Sequence, residues 1–161
     1  MELRFVPNRI VEINDARLCY RNFGGVKSKY NREGDRNFAI VIPNQELADE
    51  LMDAGFNVTI KAPREEGEDP FIYLKVKANF NGRGPSVYLV SGRKRVRLDE
   101  ESVGMLDDIV ISKVDLDIQR SRDMWEVNGR TGYSAYLRSI EVVQQIDRFE
   151  ARYAEEEHPE E

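Results

Sequence analysis

The residues best suited to chemistry in this 161-residue chain are seven Lys and Arg side chains between Tyr73 and Arg97. The stretch contains no Asp or Glu, although the chain has 30 acidic and only 24 basic residues. Aromatic residues are interleaved with the cations, and the combined set is Tyr73, Lys75, Lys77, Phe80, Arg83, Tyr88, Arg93, Lys94, Arg95 and Arg97. A cationic run in an acidic protein indicates a surface that attracts an anion.

A second cationic group lies earlier in the chain, where only Glu33 and Asp35 oppose it. It also contains two aromatic rings, and its members are Arg17, Arg21, Phe23, Lys27, Lys29, Tyr30, Arg32 and Arg36. Lys and Arg side chains follow a phosphate backbone, and exposed rings stack on unpaired bases at about 1–3 kcal/mol per base. Because every base offers a ring face, the two groups predict sequence-independent binding of single-stranded DNA. Single-stranded RNA remains an alternative ligand, since it is recognised through similar surfaces.

Strand periodicity predicts how part of this surface is presented. From Ile72 to Phe80 apolar and polar residues alternate strictly, so Tyr73, Lys75 and Lys77 should project from one face. Phe80 falls on the opposite, apolar face and is assigned to the core. We therefore include Tyr73, Lys75 and Lys77 in the predicted binding surface.

The first predicted strand region runs from Arg9 to Phe23. Its alternation places Arg17, Arg21 and Phe23 on one face, with Leu18 and Tyr20 on the other. Cys19, the only cysteine, falls within this pattern and is interpreted as a small buried hydrophobe.

The remaining patterns predict a mainly β fold. Asn44 should cap a helix that ends near Ala54, and 99–106 should form a second, short helix. Asn128-Gly129 should turn a final hairpin from Trp125 to Val143. About eight strands at hairpin spacing predict an OB-fold-like antiparallel barrel, closed or half closed, in residues 1–150.

Residues 151–161 are predicted to form a disordered acidic tail. The last eight residues carry five carboxylates and no Lys or Arg, which leaves 25 acidic residues against 24 basic ones elsewhere. Such a tail could cover a cationic groove when DNA is absent and could contact replication or recombination proteins when DNA displaces it. Alternatively, it only increases solubility.

Few features favour catalysis. The only histidine, His158, lies in the tail, and no phosphate-loop motif is present, so we predict no enzyme, no metal and no cofactor. The alternative is a Mg²⁺-dependent resolvase or nuclease that uses Asp115 and Asp117, two positions on one strand face, with Asp107 and Asp108 upstream. A third class is an interaction or inhibitor protein whose acidic tail mimics DNA.

Composition bears on the cellular location. No apolar run approaches the roughly 20 residues of a membrane helix, and the amino-terminal residues lack a signal-peptide pattern. Together with a single cysteine, these features predict a cytoplasmic protein without a membrane partner.

Several segments together resemble phage-encoded single-stranded DNA-binding proteins. They are Arg21–Phe23, Asn31–Phe38, Val76–Pro85, Leu98–Gly104 and Trp125–Gly129, so that the similarity extends from about Val11 to Val143. The resemblance implies an OB-fold barrel, DNA wrapped over a basic aromatic face, and an acidic carboxyl-terminal tail that contacts replication partners. Tails in such proteins often finish on an aromatic residue, whereas this chain finishes with Pro159-Glu160-Glu161.

Overall fold

The computed structural model describes residues 1–149 and 152, and this part of the chain is mainly β. The helical elements include α1 (Gln45–Asp53) and a 3-10 helix (Val103–Asp107). The strands are β1 (Glu2–Val6), β2 (Ile10–Asn14), β3 (Arg17–Asn22), β4 (Asn37–Val41), β5 (Val58–Lys61), β6 (Phe71–Lys77), β7 (Ser86–Ser91), β8 (Lys94–Leu98), β9 (Ile111–Arg120), β10 (Trp125–Val127), β11 (Arg130–Gly132) and β12 (Ala135–Gln144). None of the helices described here has the length and apolar content needed to span a bilayer.

Ten strands form one sheet, in which the long strand β12 is central. The order runs β1-β2-β9-β12-β6-β4-β3, with β5 also paired to β6 and with β7 joining β12 to β8. Most pairings are antiparallel, but β12 lies parallel to β6 at Ala135 and Tyr136 and parallel to β7 from Ser139 to Val143. Strands β10 and β11 form a separate two-stranded hairpin.

Strand alternation divides the sheet into a buried face and an outer face. In β6, Ile72, Leu74 and Val76 are at most 4% exposed, while the alternate residues Lys75 and Lys77 are exposed. The same alternation holds in β9 and, on either side of a register shift between Leu137 and Ser139, in β12, and the buried residues of both strands join a single apolar core. The predicted two-sided character of 72–80 is therefore confirmed, and the outer face is available for a ligand.

Helix α1 lies where the sequence predicts it. The Asn44 side chain accepts a hydrogen bond from Leu47 N at 2.9 Å, and Ala48 and Leu51 are buried. Gly55 follows the helix with φ +95°, a left-handed conformation that glycine adopts without strain. Met52, next to the buried Leu51, is 37% exposed.

The sheet departs from the predicted barrel in one respect, because it is not closed. In the part of the chain described here, no pairing joins the end strands β1 and β3, so the sheet stays open. The predicted final hairpin, Trp125 to Val143, is two separate units in the structure. Asn128 and Gly129, both at positive φ, form the turn of the short β10–β11 hairpin, and β12 begins after it. The predicted helix at 99–106 is a turn followed by the 3-10 helix.

The prediction for residues 17–23 fails at a bulge in β3. Cys19 lies opposite Ala39 but Asn22 lies opposite Asn37, so β3 holds one more residue than β4 over this interval. Tyr20 adopts φ +49° within the bulge. Because one extra residue reverses the faces of a strand, Phe23 turns inward, is 0% exposed and stacks on Phe38 at 4.8 Å.

Candidate nucleic-acid interface

An aromatic cluster occupies the outer face where β6 begins. Tyr20, Phe71 and Tyr73 meet there, with ring centroids 5.4 Å apart for Tyr20–Tyr73 and 5.6 Å for Phe71–Tyr73. Tyr20 is 57% exposed and Phe71 37% exposed. Lys61 of the neighbouring strand β5 places its ammonium 5.5 Å from the Tyr73 ring and 5.6 Å from the Tyr20 ring. The cluster thus combines exposed ring surface with a positive charge.

A groove continues from the aromatic cluster along β6. Its floor contains Lys75 and Lys77, and Lys77 is paired with Asn37 on one side and with Tyr136 on the other. Because loop 24–36 leads into Asn37 and the β10–β11 hairpin leads towards Tyr136, the two connections approach Lys77 from opposite sides. We call this region, with the aromatic cluster, the central groove.

Each side of the central groove contains a cavity. The loop-side cavity, about 420 Å³, is lined by Tyr30, Arg32, Phe80 and other residues. The hairpin-side cavity, about 810 Å³, is lined by Trp125 and Arg130, and both cavities include Lys77 and Tyr136. Their size and their mixture of cations and rings suit nucleotides.

Loop 24–36 is held in shape by its own polar side chains. The Asn31 Nδ2 group lies within 3.0 Å of the carbonyls of Val26, Arg32 and Asp35, and Asn31 Oδ1 accepts from Asn37 Nδ2 at 2.8 Å. Tyr30 projects from this loop and is 88% exposed, with Lys29 Nζ 5.5 Å from its ring. Lys27, Lys29 and Arg32 are also exposed.

The loop is anchored to the 3-10 helix at its base. The Asp107 carboxylate accepts hydrogen bonds from Phe23 N at 2.7 Å and Gly24 N at 2.9 Å. Arg21 donates to the carbonyls of Leu106 and Ile109 at 2.6 and 2.8 Å.

Three residues that were predicted to bind DNA are engaged within the protein instead. Phe23 is enclosed in the core and cannot stack on a base. The Arg21 guanidinium is engaged by the two carbonyls at the 3-10 helix. Arg36 donates to Phe23 O at 2.7 Å, and its side chain is only 17% exposed, although it contributes to the wall of the loop-side cavity.

The cationic run 73–97 is distributed over three surfaces. Tyr73, Lys75 and Lys77 lie on the central groove, whereas Arg83 and Arg97 line a different, arginine-rich cavity. Tyr88 and Arg95 stack at 3.9 Å in a third groove with Glu12, Asp115, Asp117 and Glu141. Arg93 and Lys94 lie at the β7–β8 turn, outside these linings.

Several residues of the central groove were missed by the sequence analysis. Tyr20 was assigned to a strand face without a role, and Lys61, Phe71, Trp125 and Tyr136 were not assigned to the surface. Phe71 and Lys61 could have been found, because they extend the outer-face alternation of β5 and β6. Tyr20 depends on the bulge, which no local pattern marks.

Asp115 and Asp117 share the outer face of β9, as predicted, and β9 lies between β2 and β12 in the sheet. Asp115 accepts from Asp15 N at 2.9 Å and pairs with Lys113 at 3.8 Å, and Asp117 accepts from Ser139 Oγ at 3.0 Å. Within residues 1–149 and 152, no three His, Cys, Asp or Glu side chains are grouped as a metal site requires.

Cys19 lies on β3 beside the aromatic cluster. Burial raises the pKa of its thiol, and the nearby charges of Arg17 and Lys61 oppose that rise without cancelling it. The thiol is therefore protonated at neutral pH and is a poor nucleophile.

Comparison with known proteins supports the resemblance noted from the sequence. A family model described as "Putative phage ssDNA-binding domain" matches residues 3–161. A search of curated protein sequences finds no match.

Solved structures from bacteriophage Enc34 have a similar fold. Its single-stranded DNA-binding protein in complex with ssDNA superposes with a TM-score of 0.56 at 13% identity, covering 91% of this chain and 96% of that one. The carboxyl-terminally truncated form gives a TM-score of 0.54 at 13% identity, covering 91% and 97% of the two chains. The predicted mainly β architecture is confirmed, apart from the closure of the barrel.

Proposed function

The chain belongs to the family of phage single-stranded DNA-binding domains, and on this premise we propose that it binds single-stranded DNA along the central groove without sequence preference. The observation that carries the proposal is the continuous outer face of β6. On that face, the exposed aromatic cluster leads directly into Lys75 and Lys77. Rings that stack and cations that contact phosphates both ignore base identity.

The arrangement around Lys77 supports a single strand as the ligand. Loop 24–36 and the β10–β11 hairpin stand on either side of the groove, each with an aromatic side chain, Tyr30 and Trp125, lining a cavity. Unpaired bases can be inserted between such walls, whereas the bases of a duplex are stacked inside the helix and are not available. We therefore propose that Tyr30, Trp125 and the aromatic cluster hold bases, while Lys61, Lys75, Lys77 and Arg32 neutralise phosphates.

We further propose that the protein acts in phage DNA replication or recombination without catalysis of its own, and that its acidic tail contacts other proteins of these processes. Similarity to a structure described as a complex with ssDNA supports the DNA ligand. The hydrogen bonds and ion pair that engage Asp115 and Asp117 argue against the nuclease alternative. Apart from Arg152, the tail lies outside the described residues, so its role is proposed from sequence alone.

The experiment that tests this function is a fluorescence titration of short oligo-dT, oligo-dA, oligo-U and duplex DNA at two salt concentrations. We expect both single-stranded DNAs to bind similarly and the duplex to bind more weakly. Four phosphate contacts should give a slope of log K against log salt near −3, at about −0.7 per contact. Equal affinity for the duplex, or tight binding that barely responds to salt, would contradict the proposal. The same preparation with Mg²⁺ should leave the DNA intact.

A further inference from the structure

A second cationic site lies beside the central groove. Six arginines from different parts of the chain line one cavity of about 550 Å³, namely Arg9, Arg83, Arg97, Arg120, Arg122 and Arg138. None of the described residues that line this cavity is acidic. We call it the arginine cavity.

Two of the six arginines are bound to backbone carbonyls of the protein, and a third, Arg138, donates from one guanidinium nitrogen to Gln119 Oε1 at 3.2 Å. Arg9 Nε donates to Arg120 O at 3.2 Å, while Arg120 donates to Ala54 O at 3.2 Å and stacks over Tyr133 at 4.1 Å. The other four, Arg83, Arg97, Arg122 and Arg138, are exposed. Among the described residues none of these four is in an ion pair, so their guanidinium groups can donate to an anion.

The third groove, which contains Tyr88 and Arg95 and lies beside the arginine cavity, shows how this chain arranges arginines that are paired with carboxylates. There, Arg4 pairs with Glu12 at 3.5 Å and Arg95 with Glu141 at 3.3 Å. No carboxylate of residues 1–149 or 152 lines the arginine cavity. Grouped like charges repel one another, and a bound anion that accepts several guanidinium hydrogen bonds would remove that repulsion. The contrast between adjacent surfaces therefore points to a ligand.

The arginine cavity is continuous with the central groove. Asn79, Asn81 and Tyr136 line both the arginine cavity and the loop-side cavity. A strand that follows β6 past Lys77 meets these three residues next. We propose that the arginine cavity is a second phosphate-binding site, which holds the backbone of single-stranded DNA after it leaves the central groove. This inference rests on the proposed function and extends it, because it predicts a longer footprint.

Guanidinium groups suit this task better than ammonium groups. Each can donate two parallel hydrogen bonds to one phosphate, and four of them on separate elements can follow a curved backbone. In the described part of the chain, no Trp or Phe lines the arginine cavity, and its only Tyr is Tyr136, which it shares with the groove. It should therefore contact phosphates more than bases, and contribute affinity that depends strongly on salt.

The test compares two lengths of oligo-dT with the variant R97Q/R138Q in the full chain. The short oligonucleotide has about 5 nucleotides and the long one about 16, which spans the range of sites covered by one OB fold. The matched control is R4Q/R95Q, which removes two exposed arginines from the neighbouring groove and changes the net charge equally.

We expect R97Q/R138Q to bind the short oligonucleotide as wild type does, within about twofold. The long one should bind on the order of tenfold more weakly at low salt, with a salt slope reduced by about 1.4 for two lost contacts. R4Q/R95Q should change neither. Equal losses for both lengths, or the same loss in the control, would overturn the inference. Short-oligonucleotide binding that is lost in Tyr73→Ala but unaffected by R97Q/R138Q separates the central groove from the arginine cavity.

A competing occupant is the acidic tail of the same chain, whose carboxylates also fit guanidinium groups. Repeating the comparison in protein that lacks Glu155–Glu161 distinguishes the two. If DNA occupies the arginine cavity, the length-specific loss in R97Q/R138Q persists without the tail. If the loss vanishes when the tail is removed, the inference is overturned in favour of the tail.

Discussion

At the scale of single residues, neighbours on β6 should contribute two different energies. Tyr73→Ala removes a ring from the aromatic cluster, so single-stranded DNA should bind about 1–3 kcal/mol more weakly at both low and high salt, because stacking is not screened. Lys75→Ala and Lys77→Ala should weaken binding mainly at low salt, and each should reduce the salt slope by about 0.7. Fluorescence titration across a salt series measures both effects.

Two controls make this comparison decisive. Leu74 is 1% exposed, so Leu74→Ala should lower the free energy of unfolding by about 2–5 kcal/mol in denaturant titrations. Tyr88→Ala removes a ring of the same type from the neighbouring acidic groove and should leave DNA affinity unchanged. If Tyr73→Ala unfolds the protein while Leu74→Ala does not, the groove has been placed on the wrong face.

Residue positions could be predicted from sequence where the strand was regular. On β6 strict alternation assigned Tyr73, Lys75 and Lys77 to the outer face correctly. On β3 the same reasoning failed, because Tyr20 occupies a left-handed conformation that a tyrosine seldom adopts and that its neighbours do not signal. The bulge there exchanges the expected roles of two rings: Phe23 enters the core, and Tyr20 joins the aromatic cluster.

At the scale of elements, loop 24–36 should bind DNA only while its internal hydrogen bonds hold its shape. Asn31→Ala removes the amide that bridges three loop carbonyls. We expect faster hydrogen exchange in residues 26–35 and weaker binding of single-stranded DNA, by about 0.5–1.5 kcal/mol, as for the loss of a hydrogen bond. The melting temperature should change little because the loop is largely exposed. Hydrogen exchange and fluorescence titration give the two measurements.

The matched control for this loop is Asn57→Ala, which changes an exposed asparagine outside the groove linings. It should alter neither exchange in the loop nor DNA affinity. Faster exchange in Asn31→Ala with unchanged affinity would remove loop 24–36 from the binding surface. Unchanged exchange would instead show that the amide does not hold the loop.

The elements themselves were largely predictable, but their assembly was not. Asn44 marked the start of α1, and Asn128-Gly129 marked a tight turn, because capping and left-handed turn positions favour these residue types. Sheet closure and the parallel pairing of β12 with β7 depend on residues about 50 positions apart, and no local pattern encodes such a contact. The cationic run 73–97 was predicted to form one surface because the sequence does not show how its strands are arranged. In the structure these strands distribute the cations over three surfaces.

At the scale of the whole molecule, the local distribution of charge says more about ligand binding than the net charge does. The net charge of −6 conceals a nearly neutral body and a strongly acidic terminus. Within the body, the carboxylates Glu12, Asp115, Asp117 and Glu141 lie together in one groove, and the arginine cavity and central groove are rich in cations. An anionic polymer is thus directed to one part of the surface despite the unfavourable net charge.

The acidic terminus should act as an internal competitor for that part of the surface. Deleting Glu155–Glu161 removes five carboxylates that can occupy cationic sites intramolecularly, so affinity for oligo-dT should rise at low salt. The gain should shrink as salt increases, because the screening length falls to about 10 Å at 0.1 M. Replacing the same five Glu by Gln retains the length of the tail and removes its charge, and it should reproduce the gain. Titration of the three proteins across a salt series measures the effect. A gain from deletion without a gain from the Gln variant would indicate steric obstruction, and unchanged affinity in both would leave the terminus as a solubilising segment.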